Sequence, residues 1–220
     1  NSGPAGGSRS TTTTGNATRV ACENLVKALE KPDGTYMTYD EVVAAGLPVR
    51  YEGKWSNPGI AQDVVTGQGN PFVNYMYGVL VAEVKVNMNT GKAEVEQLTI
   101  VADIGKVGNK LVTDGQIYGG LAQGIGLALS EDYEDIHYHN TFTKAGMPQI
   151  KDVPDNIKII YQETPRPHGS SGASGVGELP LSAPHAAIIN AIYNACGVRI
   201  TKLPALPEKI LEGLKENNLA

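Results

Sequence analysis

The sequence predicts an α+β fold, mixed helices and strands with a β-hairpin. Three observations point there. Two alternating segments flank an Asn-Thr-Gly turn, several stretches carry apolar residues at helical spacing, and no regular strand–helix–strand repeat exists. The hairpin is GVLVAEVKVN (78–87), in which Val79, Val81 and Glu83 alternate in strand fashion, then Asn89-Thr90-Gly91, then AEVEQLTIVADIG (93–105).

The remaining elements follow in order. Ala17, Val20, Ala21, Leu25, Ala28 and Leu29 fall near a 3.6-residue period and predict an amphipathic helix over 16–31, stopped by Pro32-Asp33-Gly34. Thr38 with Glu41 three residues on is a capping-box pattern opening a short helix to Ala45. Residues 48–74, rich in Gly, Asn and Pro, read as loop. Residues 113–130 have helical spacing despite Gly119, Gly120, Gly124 and Gly126. Each glycine in a helix costs about 1 kcal/mol relative to Ala, so some backbone, sheet or ligand must approach that face closely. A short strand is expected at 157–162 and a helix from Ala183 to Cys196. Ser182 stands as its cap, Pro184 in its first turn and Gly197 as its terminator. VRITKLP (198–204) reads as a strand, and PEKILEGLKEN closes the sequence as a helix.

Composition narrows the function. The 220 residues carry 18 Lys plus Arg against 23 Asp plus Glu, a net charge of −5, which argues against a basic nucleic-acid footprint or a polybasic membrane surface. No apolar run is long enough to span a bilayer, and the opening NSGPAGGSRSTTTTGN has neither the charged nor the apolar region of a signal peptide. The start on Asn suggests a piece of something longer. Glycine is in excess, 26 residues or about 12% against about 7% on average, as expected where backbone comes close to something. Cys22 and Cys196 are far apart, each in a predicted helix, and read as buried free thiols. His137 and His139 form an HxH that ligates metal only if both share a strand face. No third ligand stands nearby, so no metal ligands are assigned.

Three segments have compositions that structure alone does not require. In the first, Gly6, Gly7, Ser8 and Arg9 combine freed backbone N–H groups, a hydroxyl and a forked cation ahead of a helix start. That suits a phosphate, though a flexible linker has the same composition. In the second, Gln116 and Gln123 flank Gly119-Gly120. Their amides suit the edge of a heterocycle, or are surface glutamines on a tightly packed helix. In the third, Ala173, Ser174, Gly175, Val176 and Gly177 lead to a lone carboxylate, Glu178. A lone carboxylate in a water-poor site becomes a useful general base; in an exposed loop it is an incidental charge.

GASGVGELPLSAPHAAIINAI (172–192) resembles the C-terminal part of the molybdenum subunit of the xanthine oxidase family, more narrowly the bacterial aldehyde oxidoreductases carrying molybdopterin cytosine dinucleotide. DGQIYGGLAQGIGLALSEDYEDI (114–136) and SGPAGGSR (2–9) resemble two other cofactor-facing segments of the same proteins, in the same order. The resemblance covers nearly all of residues 1–220. It implies an α+β portion of a molybdopterin-binding region whose [2Fe–2S] domains and other molybdenum-domain segments lie elsewhere in the enzyme.

The same resemblance implies the roles. Glu178 matches the glutamate that acts as base on the molybdenum-bound hydroxyl during oxidation of an aldehyde to a carboxylic acid. Gln116 matches a cofactor-bonding glutamine. Gly6, Gly7, Ser8 and Arg9 match the loop at the dinucleotide end, and Ala173, Ser174, Gly175, Val176 and Gly177 the loop against the metal centre. In such a family the protein holds the metal through the pterin rather than through His or Cys, and the cofactor carries the hard step. The resemblance further implies a homodimer, an aldehyde substrate, no nucleic acid or membrane partner, and a cytoplasmic location with the periplasm left open. Two alternatives stand beside this reading: a xanthine or N-heterocycle hydroxylase, and a cofactor-free scaffold that keeps the motifs.

Overall fold

A computed structural model describes residues 3–218; Asn1 and Ser2, which open the first glycine segment, lie outside the described residues. Its elements, in order, are helices α1 (Ser10–Leu29) and α2 (Tyr39–Ala44), strands β1 (Tyr77–Val86) and β2 (Ala93–Asp103), helix α3 (Lys110–Leu129), strand β3 (Asn156–Tyr161), and helices α4 (Leu179–Ser182), α5 (Pro184–Cys196) and α6 (Pro207–Glu216). Helices with a small mixed sheet and a hairpin are the α+β arrangement that the periodicities predict. The chain divides into two compact units. One holds the described chain up to Tyr75 with Ile104–Lys106 and Glu163–Gly175; the other holds Met76–Asp103, Val107–Gln162 and the chain from Val176 onward.

The first unit is built on α1. This helix starts at Ser10 rather than at residue 16, because its first turns bury Thr12 and Asn16 instead of apolar side chains, which an apolar period cannot reveal. The Asn16 Nδ2 donates to the Thr12 carbonyl (2.8 Å) and to the His168 carbonyl (2.9 Å), tying α1 to a loop 152 residues away. Further along, Leu25 and Val26 are partly exposed, and Cys22 is exposed, which corrects its expected burial. α2 opens with the capping box read from the sequence: the Glu41 N–H donates to Thr38 Oγ1, and the Thr38 N–H to Glu41 Oε2 at 2.7 Å. Residues 48–74 form the expected loop, with one isolated bridge between Ile60 and Asn70.

The second unit is the apolar one. β1 and β2 pair antiparallel with a bulge at Glu83/Val84, and β3 adds in parallel on the far side of β2, giving the order β1-β2-β3. α5 packs on β1, and α3 packs on α4 and α5. Leu98, Ile117, Leu121, Ile188, Ile192, Ile210 and Leu214 have at most traces of exposed surface and fill the space between. α5 ends at Gly197, whose φ of 75° supplies the left-handed terminator.

Two expectations fail in this unit. Ser182 does not cap α5; it closes α4, and its hydroxyl donates back to the Glu178 carbonyl at 2.9 Å. Residues 198–204 are not a strand. Lys209 Nζ takes the carbonyls of Lys202 and Pro204, and Arg199 stacks on the Tyr193 ring (3.9 Å) while donating to Asn190. Two of the carbonyls that a sheet ladder would use are thus held by Lys209 of α6. Cys196 is buried as expected. Among the described residues, no helix is long and apolar enough to cross a membrane.

Candidate functional site

In the first unit, Gly6–Ser8 form a single 3₁₀ turn that runs into α1. The backbone is left-handed at Gly7 (φ 64°) and Ser8 (φ 55°) and right-handed at Arg9, and nothing lies within 4 Å of where a Cβ on Gly6 or Gly7 would stand. Such a turn can aim successive N–H groups at an anion. The helix behind it has no side-chain cap and no acidic residue in its first turn, so its positive dipole end favours an anion.

The third glycine segment meets the first here. Gly175 lies so close to the Ser8 carbonyl that a Cβ would collide with it, and Gly15 stands against Ser170 in the same way. Ser174 is buried; its N–H and its hydroxyl both donate to the Ile104 carbonyl, at 2.9 and 2.7 Å. Gly172 receives the N–H groups of Lys106 and Arg166 on one carbonyl, both at 3.0 Å. Residues 172–175 are therefore a fixed support under the turn that carries Gly7, Ser8 and Arg9, with Ala173 bridged to Gly105.

In the second unit, α3 presents Gln116, whose Nε2 donates to the Gly177 carbonyl at 3.2 Å. One N–H of its amide and its carbonyl oxygen stay available beside Val176, Gly177 and Glu178. The helix glycines explain how that loop is seated. A Cβ on Gly120 would come within 2.5 Å of Pro180, and one on Gly124 would collide with Pro184. The close partner that the glycine stripe predicts is thus a pair of prolines, while Gly126 accommodates Pro148 and Gly119 faces open space. Glu178 precedes α4, its carbonyl accepting from Leu181 N–H and from Ser182. Its side chain is exposed, unlike the water-poor placement entertained from sequence, and it lines a cavity of about 640 Å³ walled by Met76, Tyr77, Leu80 and Leu179.

Beside this, Tyr161 at the end of β3 donates to Asp114 Oδ1 (2.7 Å), and Lys110 binds Oδ2 (2.5 Å). Hydrogen bonds from Lys110 and then Tyr161 hold the Asp114 carboxyl below its usual range, while burial pushes the Tyr161 hydroxyl far up. Nothing in the sequence flagged this tie, because Asp114, which opens the 114–136 segment, and Tyr161, which lies in no motif, are 47 residues apart.

His137 and His139 fall in a turn rather than on a strand, and the Nδ1 of His139 accepts from the Asp135 N–H. Among the described residues no three His, Cys, Asp or Glu side chains gather to hold a metal ion. In the first unit the donors at the turn are backbone N–H groups, hydroxyls and a guanidinium, which suit a phosphate; in the second, the Gln116 amide suits a donor–acceptor ring edge.

Comparison with known proteins accords with that chemistry. A family model described as the molybdopterin cofactor-binding domain matches residues 1–154. The chain belongs to that family, the molybdenum-binding region of xanthine oxidase family enzymes. It is 62% identical, over 98% of its own length and 24% of the relative's, to an aldehyde oxidoreductase of Megalodesulfovibrio gigas. Among solved structures, the aldehyde oxidoreductase from Desulfovibrio gigas matches with a TM-score of 0.93 and 61% identity, over 97% of this chain and 24% of that one. The enzyme from Desulfovibrio desulfuricans matches with a TM-score of 0.91 and 62% identity, over 96% and 23%. The chain spans about a quarter of the length of these relatives.

Proposed function

We propose that this chain is part of a molybdenum hydroxylase that oxidises aldehydes to carboxylic acids with oxygen derived from water, and that it helps to bind molybdopterin cytosine dinucleotide. The observation that carries the reading is pairwise assembly. Cofactor-type segments far apart in sequence meet within each unit, Gly175 at Ser8 in one and Gln116 at Gly177 in the other. A scaffold without cofactor has no need of either arrangement. The similarity to two aldehyde oxidoreductases favours aldehyde over purine or N-heterocycle substrates.

The backbone N–H groups of Gly6, Gly7 and Ser8, with Arg9, bind the phosphates of the dinucleotide end. Ala173, Ser174 and Gly175 hold that turn from behind. The free N–H and carbonyl of the Gln116 amide would hold the ring edge of the pterin, and Val176 and Gly177 would line the loop against the metal centre. The chemistry supplied by the bound molybdenum pterin is the two-electron oxidation of the aldehyde carbon, with electrons leaving to [2Fe–2S] clusters elsewhere in the enzyme. Glu178 accepts, on a carboxylate oxygen, the proton released as the water-derived oxygen attacks that carbon. The apolar walls of its cavity exclude competing water once the aldehyde is seated.

The test is Glu178→Gln in the complete enzyme. Molybdenum and pterin content should stay at the wild-type level, because the amide keeps the shape, while turnover falls by about 10²–10⁴-fold, the usual cost of losing a general base. Near-normal turnover in that variant overturns the assignment of the base.

A further inference from the structure

We propose that Tyr161 is a positioning residue for the cofactor: through Asp114 it fixes the opening turns of α3, and with them the Gln116 amide and its bond to the Gly177 carbonyl. This rests on the reading above that Gln116 holds the pterin, and it adds a side chain that no motif contains.

The opening of α3 needs such a tie. The buried residues of this helix begin at Ile117, so residues 110–116 lie ahead of the part that the apolar core grips. Leu111 is 83% and Val112 67% exposed, and a Cβ on Gly115 would meet nothing within 4 Å. Asn109 Oδ1 accepts from the Val112 N–H at 3.1 Å, which satisfies one opening donor but is local to the helix. A helix end with so much exposed surface and a glycine inside it opens at low cost. Gln116 stands on that end.

Tyr161 supplies the tie from the sheet. It is the last residue of β3, in register with the fully buried Ala102 of β2, and the next N–H, that of Gln162, donates to the Ala102 carbonyl at 3.0 Å. The tyrosine backbone is thus held by the sheet. Its hydroxyl donates to Asp114 Oδ1 at 2.7 Å, a charge-assisted bond to a carboxylate whose side chain is only 20% exposed. Lys110 closes the group, its Nζ 2.5 Å from Oδ2 and 5.6 Å from the centre of the Tyr161 ring.

Asp114 and Gln116 are separated by about 3 Å along the helix axis, so a fixed carboxylate fixes the base of the amide side chain. The bond from Gln116 to Gly177 is 3.2 Å, at the long end of the N–H···O range, and a shift of about half an ångström breaks it. Gly177 adjoins Glu178, so the same shift slackens the loop that carries the base.

The experiment is a double-mutant cycle in the complete enzyme, reading the rate at which pterin and molybdenum leave the protein at a fixed temperature below unfolding. It compares wild type, Tyr161→Phe, Gln116→Leu and the double variant. Tyr161→Phe should speed pterin loss about fivefold, the scale of one lost hydrogen bond, and should speed hydrogen exchange in residues 112–117. In the Gln116→Leu background it should add nothing to pterin loss, because the amide through which it acts is gone. A tyrosine that merely stabilises the fold would add the same factor in both backgrounds, and that result overturns the inference. So does wild-type pterin loss in Tyr161→Phe. If Tyr161→Phe fails to fold, Asp114→Asn decides: it keeps the shape and weakens the pair, and should speed pterin loss only where Gln116 is present. An equal effect in both backgrounds overturns the inference again. Wild-type pterin loss in Gln116→Leu is a different failure, which removes the role given to Gln116 in the proposed function and this inference with it.

Discussion

Among the described residues, the buried polar side chains Thr12, Asn16, Arg166 and Ser174 all lie in the first unit, whose buried apolar side chains are only Val42 and Ile104. The second unit buries Leu98, Ile100, Ile117, Leu121, Ile125, Ile188, Ile192, Ile210 and Leu214. One unit is held by hydrogen bonds and by backbone close enough to exclude a Cβ; the other by apolar area removed from water. The lesson concerns where stability and binding reside. A unit held by single polar contacts leaves backbone donors available to a ligand, and a ligand that uses them adds directly to its stability.

The sharpest way to break that contrast is Leu98→Ala. Leu98 is fully buried in β2, and its truncation should cost about 2–5 kcal/mol. Hydrogen exchange read segment by segment should show the loss in β1, β2, α3 and α5 while α1 keeps its protection. Equal loss of protection in α1 would mean that the two units melt as one body and that the contrast has no energetic content.

A smaller effect is expected of Gly175→Ala, which should cost about 1–3 kcal/mol by forcing backbone apart at the Ser8 carbonyl. Its exchange signature should be confined to residues 6–9 and 172–175, with pterin content of the complete enzyme falling in parallel. Unchanged protection at 6–9 would remove the support that these residues are assigned.

The smallest is Tyr161→Phe, which probes the polar exception inside the apolar unit. Losing the hydrogen bond to Asp114 should cost about 1 kcal/mol. The sign follows from the lowered Asp114 carboxyl: its contribution is present above the ordinary carboxylate range, near pH 4, and is lost as pH falls through the folded-state value. Wild type and variant should therefore differ most near neutrality and converge in acid, as read by denaturant unfolding at several pH values. A difference independent of pH would show that Asp114 is not the group involved.

How much of this was legible in the sequence follows the same division. The hairpin, α3, α5 and its Gly197 terminator were readable because they bury apolar side chains at a regular period or end on a left-handed glycine. The start of α1 was not, because Thr12 and Asn16 leave no apolar period. The strand expected at 198–204 failed because β-favouring residues form a strand only where a partner offers an edge, and here Lys209 takes the carbonyls of Lys202 and Pro204 instead. At the site, the glycine segments pointed to close approach, and close approach is what Gly175, Gly120 and Gly124 provide. The partners were invisible from sequence: Ser8, Pro180 and Pro184 are set by the tertiary fold.

The seating of Pro180 on Gly120 and of Pro184 on Gly124 has a consequence for anyone altering this protein. The four positions form one inheritable part: bulk gained on the helix must be given back on the loop, so Gly120→Ala is tolerable only with a smaller residue at Pro180. A library that varies residues 179–184 to reshape the mouth around Glu178 while holding α3 fixed will lose most of its members to misfolding before any of them is assayed.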